Sequence, residues 1–374
     1  MKKTLIITME FPPQVGGIAT YVSDLAMALP PESVVMLAPV DKNVQDSYPF
    51  PVYRKKLLSK WFWPHWLCTF FTVWNIVRKE KIQTIVIHHI LPMGYVAMLI
   101  KWFLRKPYLI FSHGTDIAAA SRKPWKRMMV RKICKNSAQI ICNSESLKRR
   151  FLFRFSEYQN KTTVVYPCPD EMFFNLVPGA DTTITDKLAI SGRKTIISVA
   201  RMVDGKGFPH LVQVMKKVAD RVPTVAWLII GTGPKLPEVI ELIQKNSLQN
   251  IVRFIGEIAH DELPAYFQAS TIFTLLTHPD NGQEEGLGLV FLEAAAAGLP
   301  CLAGKSGGVE EAVVNGQTGL VFDVYQNQSG IVDALVNWLE NPSIAKQMGL
   351  AGQARMRAEF NWPKQVAKLA PWLE

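Results

Sequence analysis

Residues 285–300 read EGLGLVFLEAAAAGLP. The apolar residues are those of a buried helix, yet two carboxylates interrupt them. Glu285 precedes a Gly-x-Gly start at Gly286 and Gly288, and Glu293 lies between LVFL and AAAA. A carboxylate in a helix that is apolar nearly all round is costly unless something polar meets it. The stretch therefore predicts a site and not plain core, and the question becomes what kind of sheet it caps.

Outward from this stretch, short β-branched runs alternate with helical tracts, the pattern of parallel α/β layers. In the second half the strands read TIISVAR (195–201), AWLIIGTG (226–233), IVRFIGE (251–257), IFTLLTH (272–278), PCLAG (300–304) and GLVFD (319–323). In the first half they read TLIITM (4–9), SVVMLAP (33–39), TIVIHH (84–89), YLIFSHG (108–114), AQIICNS (138–144) and TTVVYP (162–167). Tracts 123–136 and 145–155 are basic and amphipathic, and 208–221 and 234–247 are helical as well. Two α/β units in series are expected, a number that also suits 374 residues. Their join falls in LVPGADTTITDKLAISGR (176–193), giving domains over 1–178 and 190–358. A short helix over 360–374 would pack back across the join on the first domain.

Composition narrows the class. The chain is 48% hydrophobic and 20% charged, without a compositional sign of disorder. The five cysteines, Cys68, Cys134, Cys142, Cys168 and Cys301, form no C-x-x-C pair and no metal-ligand spacing with His. They read as reduced, packed thiols of a cytoplasmic protein. The opening apolar run meets Glu10 and two prolines and reads as a strand, not a signal peptide. No tract is long and uninterrupted enough to span a bilayer.

The formal net charge of +11 is unevenly placed. Residues 1–180 carry 25 Lys and Arg against 11 Asp and Glu, whereas 181–374 carry 17 against 20. Within residues 51–150 the basic groups are interleaved with KWFWPHWLCTFFTVW (60–74) and GYVAMLIKWFLRKPY (94–108). Such a mixture suits an anionic surface, with a peripheral membrane contact preferred over nucleic acid. The competing reading is aromatic core beneath a solvated charged face.

Ligands of doubly wound sheets sit beyond the carboxyl ends of the strands. After the first strand, Gly16 and Gly17 open an amphipathic helix whose N–H groups and dipole could receive a phosphate, although a Gly-Gly turn needs no ligand. Arg201 ends TIISVAR, and Lys206 follows in a Gly-flanked loop. Two cations there suit a diphosphate, or are simply solvated. Gly231 and Gly233 form a turn without the full G-x-G-x-x-G spacing, and YLIFSHGTDI (108–117) ends a strand with His113, Gly114 and Asp116, where an imidazole could meet a substrate hydroxyl. Counted as helix, the eight residues from Glu285 to Glu293 span about 12 Å at about 1.5 Å per residue. That is the reach from a nucleotide's ribose, at Glu293, to a hexose on its diphosphate, at Glu285. Gly286 and Gly288 would let backbone N–H groups approach.

Taken in order, Gly16-Gly17, HGTD (113–116), CNSES (142–146), VARMVDGKG (199–207), GTGP (231–234), FIGEI (254–258), the Glu285/Glu293 pair and GGVEEAVVNGQTGLVF (307–322) resemble the retaining glycosyltransferases of family 4. The resemblance implies the α/β GT-B fold, two facing Rossmann-like doubly wound domains with an interdomain cleft. It implies a catalytic role for Glu285 and His113 and a donor diphosphate held by Gly16, Gly17, Arg201 and Lys206. The hexose would lie along Gly286, Leu287 and Gly288, the ribose at Glu293 and the base near Gly231 and Ile258. By the same resemblance no metal or cofactor is needed, and Glu285 positions and stabilises charge without attacking. Two departures stand out: YPCPDE at 166–171 replaces a common IPNGVD turn, and HGTD carries Asp116 where some relatives have glutamate.

The expected activity is transfer of a hexose from a nucleotide sugar, GDP-mannose or a UDP-sugar, to a lipid-linked saccharide or glycolipid. The setting would be the cytoplasmic membrane face, in cell-envelope, lipopolysaccharide or extracellular polysaccharide synthesis. A soluble-acceptor transferase and a sugar-nucleotide epimerase are the alternatives on this fold. A nicotinamide-dependent oxidoreductase would need the third glycine that GTGPKLPE lacks, and a nucleic-acid binder would leave Glu285 and Glu293 unexplained.

Overall fold

The computed structural model describes residues 1–14, 16–41, 47–61, 63–114, 123–175 and 178–374. The chain divides into two compact units, Met1–Cys168 with Trp362–Glu374, and Pro169–Asn361.

The first unit holds a seven-stranded parallel sheet in the order β3-β2-β1-β4-β5-β6-β7. Its strands are β1 (Thr4–Ile7), β2 (Val34–Pro39), β3 (Val52–Lys55), β4 (Thr84–His88), β5 (Tyr108–Ser112), β6 (Gln139–Cys142) and β7 (Thr162–Val164). Alternate residues of the central strands face opposite ways. Leu5, Ile7, Leu37, Ile85 and Ile87 bury one face with Val73, Ile100 and Ile133 from the helices Leu67–Lys79, Met93–Leu104 and Pro124–Asn136. Ile6, Met36, Val86 and Phe111 bury the other with Val22 and Leu25 of the helix Gly17–Met27. Both faces being covered, the strands read as continuous apolar runs. The exception is β3, absent from the sequence reading: VYRK is half-buried at a sheet edge and shows no such run.

Residues 362–374 complete this unit. Leu369 and Leu373 enter its core, Gln365 Oε1 accepts from the Tyr166 N–H at 3.0 Å, and the Lys2 N–H donates to the Leu373 carbonyl at 2.5 Å.

The second unit holds a six-stranded parallel sheet in the order β10-β9-β8-β11-β12-β13. Its strands are β8 (Lys194–Val199), β9 (Val225–Ile230), β10 (Val252–Gly256), β11 (Ile272–Leu275), β12 (Cys301–Gly304) and β13 (Gly319–Phe322). Counted from its own first strand, this is the 3-2-1-4-5-6 order of dinucleotide-binding sheets, with the topological switch between β8 and β11. At that centre Trp227 Nε1 donates to Ser198 Oγ at 3.0 Å, and Ser198 Oγ donates to the Thr274 carbonyl at 2.7 Å. The unit begins at Pro169, upstream of the segment read as the join, and Phe173 packs its ring 5.8 Å from that of Phe267. All five cysteines are free thiols, and four are buried.

Candidate active site

At the carboxyl edge of the second sheet the main chain is packed so closely that glycine is required. The loop after β8 lies against the end of β11. A Cβ on Gly207 (φ 76°) would fall 1.9 Å from the Leu276 carbonyl oxygen, and the His278 N–H donates to the Gly205 carbonyl at 3.0 Å. Lys206, between these glycines, is thereby carried to the end of β11, where its Nζ lies 2.5 Å from Glu285 Oε2. Glu285 is itself fastened by main chain: its N–H donates to Ser306 Oγ at 3.1 Å, and its carbonyl accepts from the Gly308 N–H at 3.1 Å. A Cβ on Gly307 would sit 1.9 Å from that carbonyl oxygen, so GGVEE in the sequence is the cradle of Glu285. Arg201, just beyond β8, is exposed and makes no side-chain ion pair among the described residues.

The helix after Glu285 runs Leu289–Ala296 and starts at Gly288, whose φ of 84° lies in the left-handed region. This corrects the expectation of a continuous helical span from Glu285 to Glu293: Glu285 to Gly288 form a loop, because Gly286 and Gly288 break the helix before it reaches Glu285. Leu287 is buried and Gly286 partly so. Glu293 lies within the helix, 5% exposed, and what meets its carboxylate is His260, whose Nε2 is 3.0 Å from Oε1. His260 is 44% exposed at its side chain, against 7% for Glu293, and Phe173 packs its ring edge-on at 5.3 Å.

Gly231 (φ 119°) ends β9 with no room for a side chain: a Cβ would meet the Ala200 carbonyl oxygen at 2.2 Å. Close main-chain packing thus accounts for this glycine by itself. Ile258, half-buried, follows β10 on the same edge. All strands being parallel, Arg201, Lys206, Gly231, Ile258, Glu285 and the Gly288 helix start emerge at one end of the sheet.

The first unit has a different constellation at its corresponding edge. Gly16 caps the helix Gly17–Met27, and an added Cβ at Gly16 or Gly17 would meet nothing within 4 Å, so packing does not demand glycine there. One turn into this helix, Tyr21 sets its ring edge-on to His113 at 5.7 Å and donates its hydroxyl to the Val165 carbonyl at 2.7 Å. His113, just after β5, is 7% exposed, and His88, at the end of β4, is fully buried. Their rings lie nearly coplanar side by side, centroids 5.2 Å apart and planes 14° apart, with His88 Nδ1 2.9 Å from His113 Nε2. Burial lowers the pKa of both, that of His113 to about 3, and each is lowered further by the neighbouring His89. His89 (φ 85°) donates Nδ1–H to the His88 carbonyl at 2.7 Å and turns Nε2 to 3.5 Å from Glu10 Oε1.

The structure therefore joins Lys206 to Glu285, finds a partner for Glu293 in His260, and ties His113 to His88. The sequence reading named neither His88 nor His260 as a site residue, though His88 ends a strand it had placed and His260 follows one. Asp116 lies outside the described residues. Among those described, no group of three His, Cys, Asp or Glu is arranged to hold a metal ion.

Two doubly wound units in tandem, the second with a cation and a carboxylate in contact at its switch point, define a nucleotide-sugar-dependent glycosyltransferase of the GT-B fold. The chain belongs to the family 4 glycosyltransferases: residues 15–171 match the model for Glycosyltransferase Family 4, and residues 181–355 that for Glycosyl transferases group 1. It is 28% identical to a GDP-mannose-dependent alpha-(1-6)-phosphatidylinositol monomannoside mannosyltransferase of Mycobacterium tuberculosis, over 100% of this chain and 98% of that protein. It is likewise 28% identical to a GDP-mannose-dependent monoacylated alpha-(1-6)-phosphatidylinositol monomannoside mannosyltransferase of Corynebacterium glutamicum, over 96% and 95% of the two chains. Among solved structures, HepE of Anabaena in complex with UDP superposes with a TM-score of 0.84 at 18% identity over 99% of both chains. That is a likeness of fold.

Proposed function

We propose that this protein is a retaining hexosyltransferase that moves a hexose from a nucleotide diphosphate sugar to a glycolipid or lipid-linked saccharide at a membrane surface, in the assembly of cell-envelope or extracellular polysaccharide. The observation that carries the reading is the 2.5 Å contact between Lys206 and Glu285 beside the switch point. A phosphate-seeking cation touches a hydroxyl-seeking carboxylate, the arrangement needed where a hexose meets its diphosphate. Arg201 and Lys206 would neutralise the departing diphosphate without a metal. Glu285 would hold hexose hydroxyls and stabilise positive charge near the reacting carbon, with the main chain of Gly286, Leu287 and Gly288 alongside. Glu293 would take the ribose hydroxyls once His260 yields, and Ile258 and Gly231 would lie by the base. GDP-mannose is the favoured donor, because relatives matching the whole chain are named for it.

The acceptor side is read from the surface of the first unit. Trp61 (86% exposed), Trp63, Phe71, Trp102, Phe103, Trp125 and Met128 are exposed. Several are linked: the Phe70 ring lies 5.3 Å from Phe71 and 6.2 Å from Phe103, joining the helices Leu67–Lys79 and Met93–Leu104. Lys132, from Pro124–Asn136, stands 5.6 Å above Trp102. Rings to enter the headgroup layer and cations to draw it in are the means of peripheral binding to anionic lipid. No helix among the described residues is long and apolar enough to cross a membrane.

The test is to incubate the protein with GDP-mannose and a panel of UDP-sugars, with and without membrane lipid extract and with EDTA. Release of nucleotide dependent on extract and indifferent to EDTA is expected. Epimerised sugar nucleotide without release, or turnover restored only by added metal, would displace this reading.

A further inference from the structure

The histidine pair of the first unit carries an inference of its own. A hydrogen bond between two neutral imidazoles needs one N–H and one bare nitrogen. If His88 Nδ1 holds the proton, His113 Nε2 is bare, and the single hydrogen of His113 sits on Nδ1. If His113 Nε2 holds it, His88 Nδ1 is bare, and the hydrogen of His88 sits on Nε2. The two rings must therefore share one tautomer, both Nδ1–H or both Nε2–H. A mixed pair would set two hydrogens or two lone pairs against each other across 2.9 Å.

The outer nitrogens, His88 Nε2 and His113 Nδ1, are buried and have no hydrogen-bond partner among the described residues. Between them they present one donor and one acceptor. Leaving such groups unmet is unfavourable in a folded interior, which marks them as places where a polar partner is expected. His113 lies on the strand-end loop and is the less buried of the two. The pair is held rigidly: Phe111 stacks on His88 at 4.8 Å, and Tyr21 sets its edge against both rings. Beside the pair stands His89, its ring 5.5 Å from that of His113 and its Nε2 facing Glu10.

We propose that His88 is a positioning residue: by engaging His113 Nε2 it fixes that ring's plane, ties its tautomer to that of His88 and leaves Nδ1 as the one nitrogen offered to a substrate hydroxyl. This rests on the proposed reading that His113 meets substrate. With both rings Nδ1–H the offered nitrogen donates to an oxygen; with both Nε2–H it accepts from a hydroxyl.

Nitrogen NMR of the full-length protein labelled at histidine tests the pairing without turnover. A matched pair of neutral tautomers is expected for His88 and His113; one ring Nδ1–H beside one Nε2–H would overturn it. In transfer assays with GDP-mannose, His88→Phe keeps the stacked ring but removes both nitrogens. It should lower kcat by about tenfold to a hundredfold while donor KM stays within about twofold. His88→Asn, whose amide replaces the group at Nδ1, should restore kcat to within about fivefold of wild type. Unchanged kcat in His88→Phe would refute the positioning role. Should His88→Phe not fold, as judged by circular dichroism, the spectrum and the Asn variant decide. If the wild-type protein transfers no sugar while the matched tautomers are seen, the transferase reading falls and the pairing stands.

Discussion

The two units use one topology for opposite purposes at their carboxyl edges. In the second, the edge is charged and stitched by main chain: Lys206 against Glu285, Glu293 against His260, with glycines pressed onto carbonyls to bring the loops together. In the first, two buried histidines are hydrogen-bonded beside an aromatic ring with Glu10 facing His89 next to them, while most of the charge lies on a surface crowded with exposed aromatics. The difference teaches where each unit spends its polar groups. On the proposed reading one would grip a small anionic ligand, and the other holds a buried, oriented imidazole and turns its cations outward.

The sharpest way to break this contrast is Glu285→Ala. Transfer should fall by at least about a hundredfold in kcat, as expected for loss of a charge facing the transition state. Steady-state kinetics with saturating donor check it, and a loss under about threefold would remove Glu285 from the chemistry. Glu293→Ala should act on binding instead, raising donor KM by about tenfold or more for lost charged hydrogen bonds with kcat little changed. Calorimetric titration of the nucleotide sugar measures it directly.

A third prediction separates the units by pH. The His113 pKa is pushed down to about 3 by burial, and that of His88 is also lowered. The unfolded chain therefore takes up protons near pH 6.5 that the folded first unit refuses. This contribution to stability is complete above about pH 6.5 and is lost as pH falls toward 3. The loss is of order 1 kcal/mol per pH unit for each histidine. Limited proteolysis at pH 5 should cut the first unit before the second, and equal cleavage of both would count against neutral burial of the pair. The smallest effect is expected at the surface. Flotation with anionic vesicles should weaken with added salt and drop a few-fold in Phe71→Ser and Trp102→Ser, since surface attraction is screened and each ring adds little by itself.

How much of this was legible in the sequence follows from the range of the forces involved. Strands in the sheet interiors announce themselves as β-branched runs, and the edge strands β7, β10 and β13 keep enough of such a run that twelve strands and the doubly wound class were readable, whereas β3, VYRK at an edge, was not. The cost of burying Glu293 is local and was visible, but its partner His260 stands 33 residues away and had no local signal. His88 and His113 are 25 residues apart and meet only because β4 and β5 are neighbours in the sheet. The helical measure from Glu285 to Glu293 failed in the loop Glu285 to Gly288, where the helix starts only after Gly288. Periodicity reports what a residue does to its own turn, not where a loop is drawn by a distant carbonyl.

The return of residues 362–374 to the first unit has a consequence for the order in which the molecule can be made. Leu369 and Leu373 close a core begun by Ile6 and Val34, yet a ribosome delivers them only after the entire second unit has emerged. Domains usually fold as units in the order of synthesis. Here the unit begun first is sealed last, and until then the face that the helix Gly17–Met27 covers must wait without Leu369 and Leu373.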